Sequence, residues 1–456
     1  MIELSRSALI GAVVAGVAVG VAYATSPSLV ICGVALGGIV TWAQRGTSPR
    51  ERRWVIGLLV ASLALRALVL AGFFLFGGSR ESLPVLVGDE WLIKWRSLLL
   101  VNLALGRPLA PPDYFNVLEA YGRTSLMNVF GVWQYVVGPA PYGVHLLNVV
   151  FWFAAAVLMF RTARRAFGPI PAWLGLVMLL CMPTLFVWSV SALKEPLFFL
   201  MTALALAGAY GVLTGPGVGR RLLGACALAA GCWGIDPIRS SALFVTAGGV
   251  AVGVIGWLMT RRAWPWALAA VLALTVGGRV LSHPRVATPL TQAIATAANY
   301  QRGSVRTVGY SYLLLDQHYY MDYGADGIRT MPWDEAGRYV VRAIGSFVIQ
   351  PIPWEAKSRA MVVFIGQQML WYLLFAFAGI GAVAGWRRDA TLTWIIIGYF
   401  IVAGAVVALF SGNIGTFVRF RDSVVTIIVW LSALGAAVSL EWAARRFSGD
   451  SRDASA

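Results

Sequence analysis

The sequence predicts an all-α polytopic membrane protein of about twelve transmembrane helices, with interfacial helices on its extracytoplasmic face. Three observations predict it. Hydrophobic residues make up 59% of the 456-residue chain and charged residues only 12%, near half the share usual in a soluble protein. Apolar runs long enough to span a bilayer, about 18–25 residues each, recur along the chain. Short connections with clustered arginines alternate along the chain with connections that carry acidic motifs.

The runs are read at 8–25, 28–44, 54–77, 142–160, 170–189, 196–214, 222–235, 241–260, 264–281, 360–385, 391–411 and 424–444. Connections after the even-numbered runs carry Arg45, Arg50, Arg52 and Arg53; then Arg161, Arg164 and Arg165; then Arg220 and Arg221. The series continues with Arg261 and Arg262, then Arg387 and Arg388, and ends at Arg445 and Arg446. Short loops rich in arginine stay cytoplasmic, so both termini are expected inside. The first run is read as retained, because no small-residue cleavage site follows it and a second run starts at once.

The expected organisation is therefore two additional N-terminal helices in 1–53, a main transmembrane domain in 54–446, and a disordered cytoplasmic tail in 447–456. The net charge of +16 resides mostly in the cytoplasmic arginines, which suit topology and anionic lipids, so nucleic acid is excluded as a partner. Cys32, Cys181, Cys226 and Cys232 all lie in apolar runs and have neither disulfide nor zinc spacing. Arginine in place of lysine, with abundant Ala and Gly, points to a bacterial source and so to the inner membrane.

Two outward segments, 78–141 and 282–359, are too long to be simple connections. The first holds an amphipathic stretch from Trp91 to Leu105, then a semi-apolar stretch near 125–138 that carries Asn128 and Gln134. Counting that stretch as a span would move every later arginine cluster outside, so it is read as interfacial or re-entrant. The second mixes Tyr300, Tyr310, Tyr312, Tyr319, Tyr320 and Tyr323 with charges, as expected of a cap lying on the outer leaflet.

Chemistry is expected on the outer side. Asp89 and Glu90 form an acidic pair in the first outer segment, suited to accepting a proton or to chelating a divalent cation. A helix start, where carboxylates are favoured, is the simpler account of the pair. Several runs that enter from outside begin with cations: Lys194, Arg239, Arg419 with Arg421, and Lys357 with Arg359. Helix N-termini bind anions, and added cations would make a phosphate site at head-group depth. Interfacial snorkelling accounts for any one of them. Glu195, Asp236 and His318 are accessory candidates, and Arg66 lies mid-run, where a cation needs a partner inside the bundle.

Three stretches carry a family resemblance: Asp89-Glu90, the segment Pro183 to Pro196 with Leu193-Lys194-Glu195-Pro196, and Gly412-Asn413 through Gly415-Thr416 to Arg419-Phe420-Arg421. In these the chain resembles integral-membrane glycosyltransferases of the GT-C superfamily, in its polyprenyl-phosphate-sugar-dependent, RgtA/B/C/D-like branch. It departs from them in having two spans before the usual first one and no soluble C-terminal domain. The resemblance implies a donor sugar on a polyprenyl phosphate and an acceptor that is an envelope glycan, lipid or protein. It also implies an extracytoplasmic inverting transfer, with Asp89 as base and the cationic helix starts holding the departing phosphate. Two other functions fit the same topology. A Wzy- or ligase-like polymerase of lipid-linked glycans would use the arginines and a loop histidine, and a transporter or flippase would need ionisable residues lining the bundle.

Overall fold

Helix dominates because a chain this apolar must satisfy its backbone groups internally. The structure, a computed structural model, describes residues 26–76, 88–118, 124–239, 241–260, 284–307, 310–321, 327–328, 331–355 and 359–453, with scattered positions between 13 and 24. The helices are α1 (Pro27–Ala43), α2 (Pro49–Phe76), α3 (Gly88–Ala104), α4 (Pro111–Leu118), α5 (Ser125–Val137), α6 (Gly143–Phe167), α7 (Pro169–Cys181), α8 (Pro183–Val190) and α9 (Glu195–Thr214). They continue as α10 (Val218–Ile235), α11 (Ala242–Thr260), α12 (Pro284–Val305), α13 (His318–Met321), α14 (Trp333–Ile349), α15 (Arg359–Arg388), α16 (Ala390–Phe410) and α17 (Ile414–Asp453). Among the described residues the only β-type pairing is one bridge between Ser311 and Asn413.

Seven of these helices are long and apolar enough to cross a membrane, and an eighth span arises if α7 and α8 count as one. The expected run 170–189 is bent by 66° between them. Pro183 is the cause: the residue before a proline is forced out of the helical region, and Met182 is extended at ψ 126°. Four expected spans are not among the eight. Run 264–281 lies outside the described residues, as does much of 8–25. The other two are α1, with 17 residues and a length of about 26 Å, and α10, which carries Arg220 and Arg221 in its first turn. The all-α, multi-pass architecture is what the hydropathy predicts. At the C-terminus, α17 runs on to Asp453 through most of the tail expected to be disordered, because extending a formed helix needs no new nucleus.

Contacts group the chain into two units. The first comprises Met1–Arg161, Leu185–Leu204 and Trp233–Ser240. Its core is α6, where Trp152, Phe153 and Phe160 are buried and Trp152 lies 5.0 Å from Phe199, centroid to centroid. Arg66, on α2, is 1% exposed and has the expected partners inside the bundle. Its guanidinium bonds Ser189 Oγ at 2.7 Å and the Ser62 carbonyl at 3.2 Å, and it lies over the Phe186 ring at 4.5 Å. A cation at this depth is tolerated because hydroxyl, carbonyl and π faces replace its water.

The second unit comprises Thr162–Thr184, Ala205–Cys232 and Ser241–Ala456. Here α11 packs on α16, and α15 on α17, with backbones in near contact. A Cβ at Gly398 would meet the Gly253 backbone, and one at Gly381 would meet the Leu431 carbonyl. Glycine is required at both crossings, as is usual where helices lose the hydrophobic drive of water and rely on close packing.

Candidate functional site

The acidic pair opens α3, where the helix dipole favours carboxylates. Glu90 is 2% exposed. Its Oε1 lies 3.1 Å from His145 Nε2 and 3.9 Å from Lys94 Nζ, one turn along the same helix. It also receives a backbone hydrogen bond from Ala192. Burial pushes its carboxyl pKa up, but the hydrogen bond and charge of His145, with Lys94 and Ala192, outweigh this and hold it below the usual range. Burial lowers the Lys94 ammonium pKa, which Glu90 only partly offsets. Asp89 occupies the neighbouring helical position, and its side chain lies outside the described residues.

The contacts of Glu90 explain how the Pro183–Pro196 segment is built. Residues Ser191–Lys194 are non-helical between α8 and α9. Irregular backbone in such a bundle needs side-chain partners, and α6 provides them. Asn148 Nδ2 donates to the carbonyls of Ser191 at 2.7 Å and Leu193 at 2.8 Å, while His145 Nδ1 lies 2.9 Å from the Val190 carbonyl. Glu90, His145 and Asn148 therefore clamp one helix break from two sides.

The break leads directly into the predicted cations. Lys194 is half-buried at its end, and Glu195 begins α9. Arg239 reaches Glu195 at 3.7 Å and lies 5.2 Å over the Phe198 ring. The turn carrying Arg239 is tied to the first long segment: Thr124 Oγ1 donates to the Ile238 carbonyl and the Ser125 N–H to that of Pro237, both at 2.8 Å. Asp236, in the same turn, is exposed. One unit thus gathers Glu90, Lys194, Glu195 and Arg239 from segments far apart in sequence.

In the second unit, Asn413 caps α17, its Oδ1 accepting from Gly415 N at 3.0 Å and Thr416 N at 3.3 Å. The strip from Gly412 to Ile414 is paired with Tyr310 and Tyr312: the Ile414 N–H donates to the Tyr310 carbonyl at 2.8 Å and the Tyr312 N–H to the Gly412 carbonyl at 3.0 Å. Arg419 is half-buried, one turn into the helix. Arg421 is 1% exposed and is spent internally: it donates to the Gln350 carbonyl at 2.6 Å and to Gln368 Oε1 at 2.8 Å, over the Trp371 ring at 4.9 Å. Those contacts make it a crosslink between α17, α15 and the end of α14. His318 is exposed at the start of α13, its ring 4.0 Å from that of Tyr319. Lys357 falls outside the described residues, and so does the side chain of Arg359.

A divalent cation at Glu90 does not fit the described residues. An ammonium and an imidazole already face its carboxylate, and among the described residues no three His, Cys, Asp or Glu side chains converge as a metal needs. His145 and Asn148 are the site residues that sequence reasoning missed. Their signal was present: two polar residues three apart share one face at the start of an otherwise apolar helix.

No family model matches this chain, and neither does any curated protein or any solved structure.

Proposed function

We propose that the chain is a glycosyltransferase of the bacterial inner membrane, GT-C-like, with about twelve spans and both termini cytoplasmic. It moves a sugar from a polyprenyl-phosphate donor to an extracytoplasmic acceptor with inversion. One observation carries the reading: Glu90, beside Asp89, is anchored to the helix break from which Lys194 and Glu195 emerge, in the unit that also holds Arg239. Glu90 and the cationic helix start thus belong to one arrangement.

In this reaction Asp89 takes the proton of the acceptor hydroxyl. The oxygen attacks the anomeric carbon from the face opposite the phosphate, and the carbon–oxygen bond to phosphate breaks with its electrons leaving on the phosphate. Lys194 and Arg239 neutralise the departing polyprenyl phosphate. Glu90 is already charge-paired with its neighbours, so it holds the site and the role of base falls to Asp89.

The test is incubation of purified protein with a panel of polyprenyl-phosphate sugars and measurement of released polyprenyl phosphate. Release that depends on acceptor and is abolished in Asp89→Asn is expected. Release only from lipid-pyrophosphate oligosaccharides would replace the reading with a polymerase, and transbilayer movement of intact donor without release would replace it with a flippase.

A further inference from the structure

We propose that His145 is the positioning residue of this site, a doubly protonated imidazole that holds Glu90 and the Ser191–Lys194 break in one geometry. The argument begins with the Val190 carbonyl, which can only accept a hydrogen bond. Its 2.9 Å contact therefore places a proton on Nδ1. Turning the ring over would put carbon atoms at both polar contacts, so the assignment of the two nitrogens is set by their surroundings.

With Nδ1 protonated, a neutral ring would aim the Nε2 lone pair at Glu90 Oε1, 3.1 Å away. Both atoms are buried, and neither has a hydrogen-bond partner among the described residues. Two facing acceptors in a dry site repel, so a proton must lie between them. It could reside on either atom. The Ala192 N–H and the Lys94 ammonium both favour a charged carboxylate, which places the proton on the ring. The Phe74 ring, 5.3 Å from His145 at an interplanar angle of 71°, closes the remaining side with apolar surface.

The imidazolium thus holds two chain segments, hydrogen-bonded through Nδ1 to the end of α8 and charge-paired through Nε2 with Glu90 on α3. A neutral histidine could bond only one of them as a donor.

The test is a 15N NMR spectrum of histidine-labelled full-length protein in lipid nanodiscs at neutral pH. The chain has three histidines, and only His145 precedes a leucine, so paired His and Leu labelling assigns its ring without any substitution. Protons on both ring nitrogens are expected, with loss of the Nε2 proton in Glu90→Gln, whose amide can donate instead. A neutral wild-type ring, in either tautomer, overturns the proposal. If Glu90→Gln fails to fold, the wild-type spectrum still decides.

A second arm rests on the transferase reading. His145→Ala should lower kcat on the order of a hundredfold with donor KM little changed. His145→Gln, which keeps a donor toward Glu90, should recover most of that loss. Equal loss in the two variants overturns the positioning role. A wild-type protein inactive on every donor would instead defeat the transferase reading and leave the NMR result standing.

Discussion

Asp89 and Glu90 are chemically near-identical and adjacent, yet they are expected to fail differently when altered. Asp89→Asn keeps shape and removes basicity, so transfer should fall by about 10²–10⁴ while binding of labelled donor stays near wild type. Near-normal turnover in the folded variant would remove Asp89 from the role. Glu90 acts through stability. Its carboxyl pKa is lower in the folded protein than its ordinary value of 4.5, so its contribution is complete above that value. The contribution is lost as pH falls through the lower, folded pKa, because the native state must then take up a proton against its partners. Acid unfolding should therefore begin nearer neutrality in Glu90→Gln than in the wild type, measured by intrinsic fluorescence across an acid titration. Arg421 separates structure from binding in the same way. Arg421→Ala removes charged hydrogen bonds to Gln350 and Gln368, each worth about 1.5–3 kcal/mol. A lower melting temperature with unchanged donor affinity is expected, and a loss of affinity in a fully stable variant would return Arg421 to the phosphate.

The decisive element is the break between α8 and α9, and it shows what a sequence does and does not reveal. Pro196 marks its far end in the sequence, since it removes a backbone donor, while Pro183 marks the earlier bend between α7 and α8. What fills the break is not legible, because Asn148 and His145 lie more than forty residues away in sequence. Pairing across such a distance is set by tertiary packing and leaves no local period to read. The same limit applies to Arg421, whose position at a helix start suggested an anion site until the carbonyl and amide beneath it were placed. Asn148→Leu should keep the volume and orphan two carbonyls in a dry setting. The expected cost is about 1–3 kcal/mol for each unsatisfied group, seen as a lower unfolding midpoint, and a midpoint within error of wild type would show that the break has other support.

At the scale of the whole chain, hydropathy made the multi-pass class legible, and the number of crossings turns on marginal helices. Among the described residues seven helices are long and apolar enough to cross, or eight spans if the bent pair counts as one. The expected twelve need both N-terminal runs, the run 264–281 and α10 as well. Of these α10 has the greatest leverage, because Arg220 and Arg221 weaken its apolar character while the loop they occupy calls for a crossing. If α10 and the run 264–281 both span, Val218 and Arg387 lie on the same side of the membrane and Leu313 on the other. If one of the two does not, every later connection inverts, which places Arg387 opposite Val218 and Leu313 on the side of Val218. All three positions are exposed and suit labelling as single cysteines, once Cys32, Cys181, Cys226 and Cys232 have been replaced. Impermeant maleimide added to intact cells should label Leu313→Cys only, with Val218→Cys and Arg387→Cys reacting after permeabilisation. Labelling of Arg387→Cys from outside would exclude one of the two, α10 or the run 264–281, as a span. It would also set Arg387 and Arg388 on the extracytoplasmic face against the charge rule, and the outward placement proposed for the 282–359 segment would fall with it.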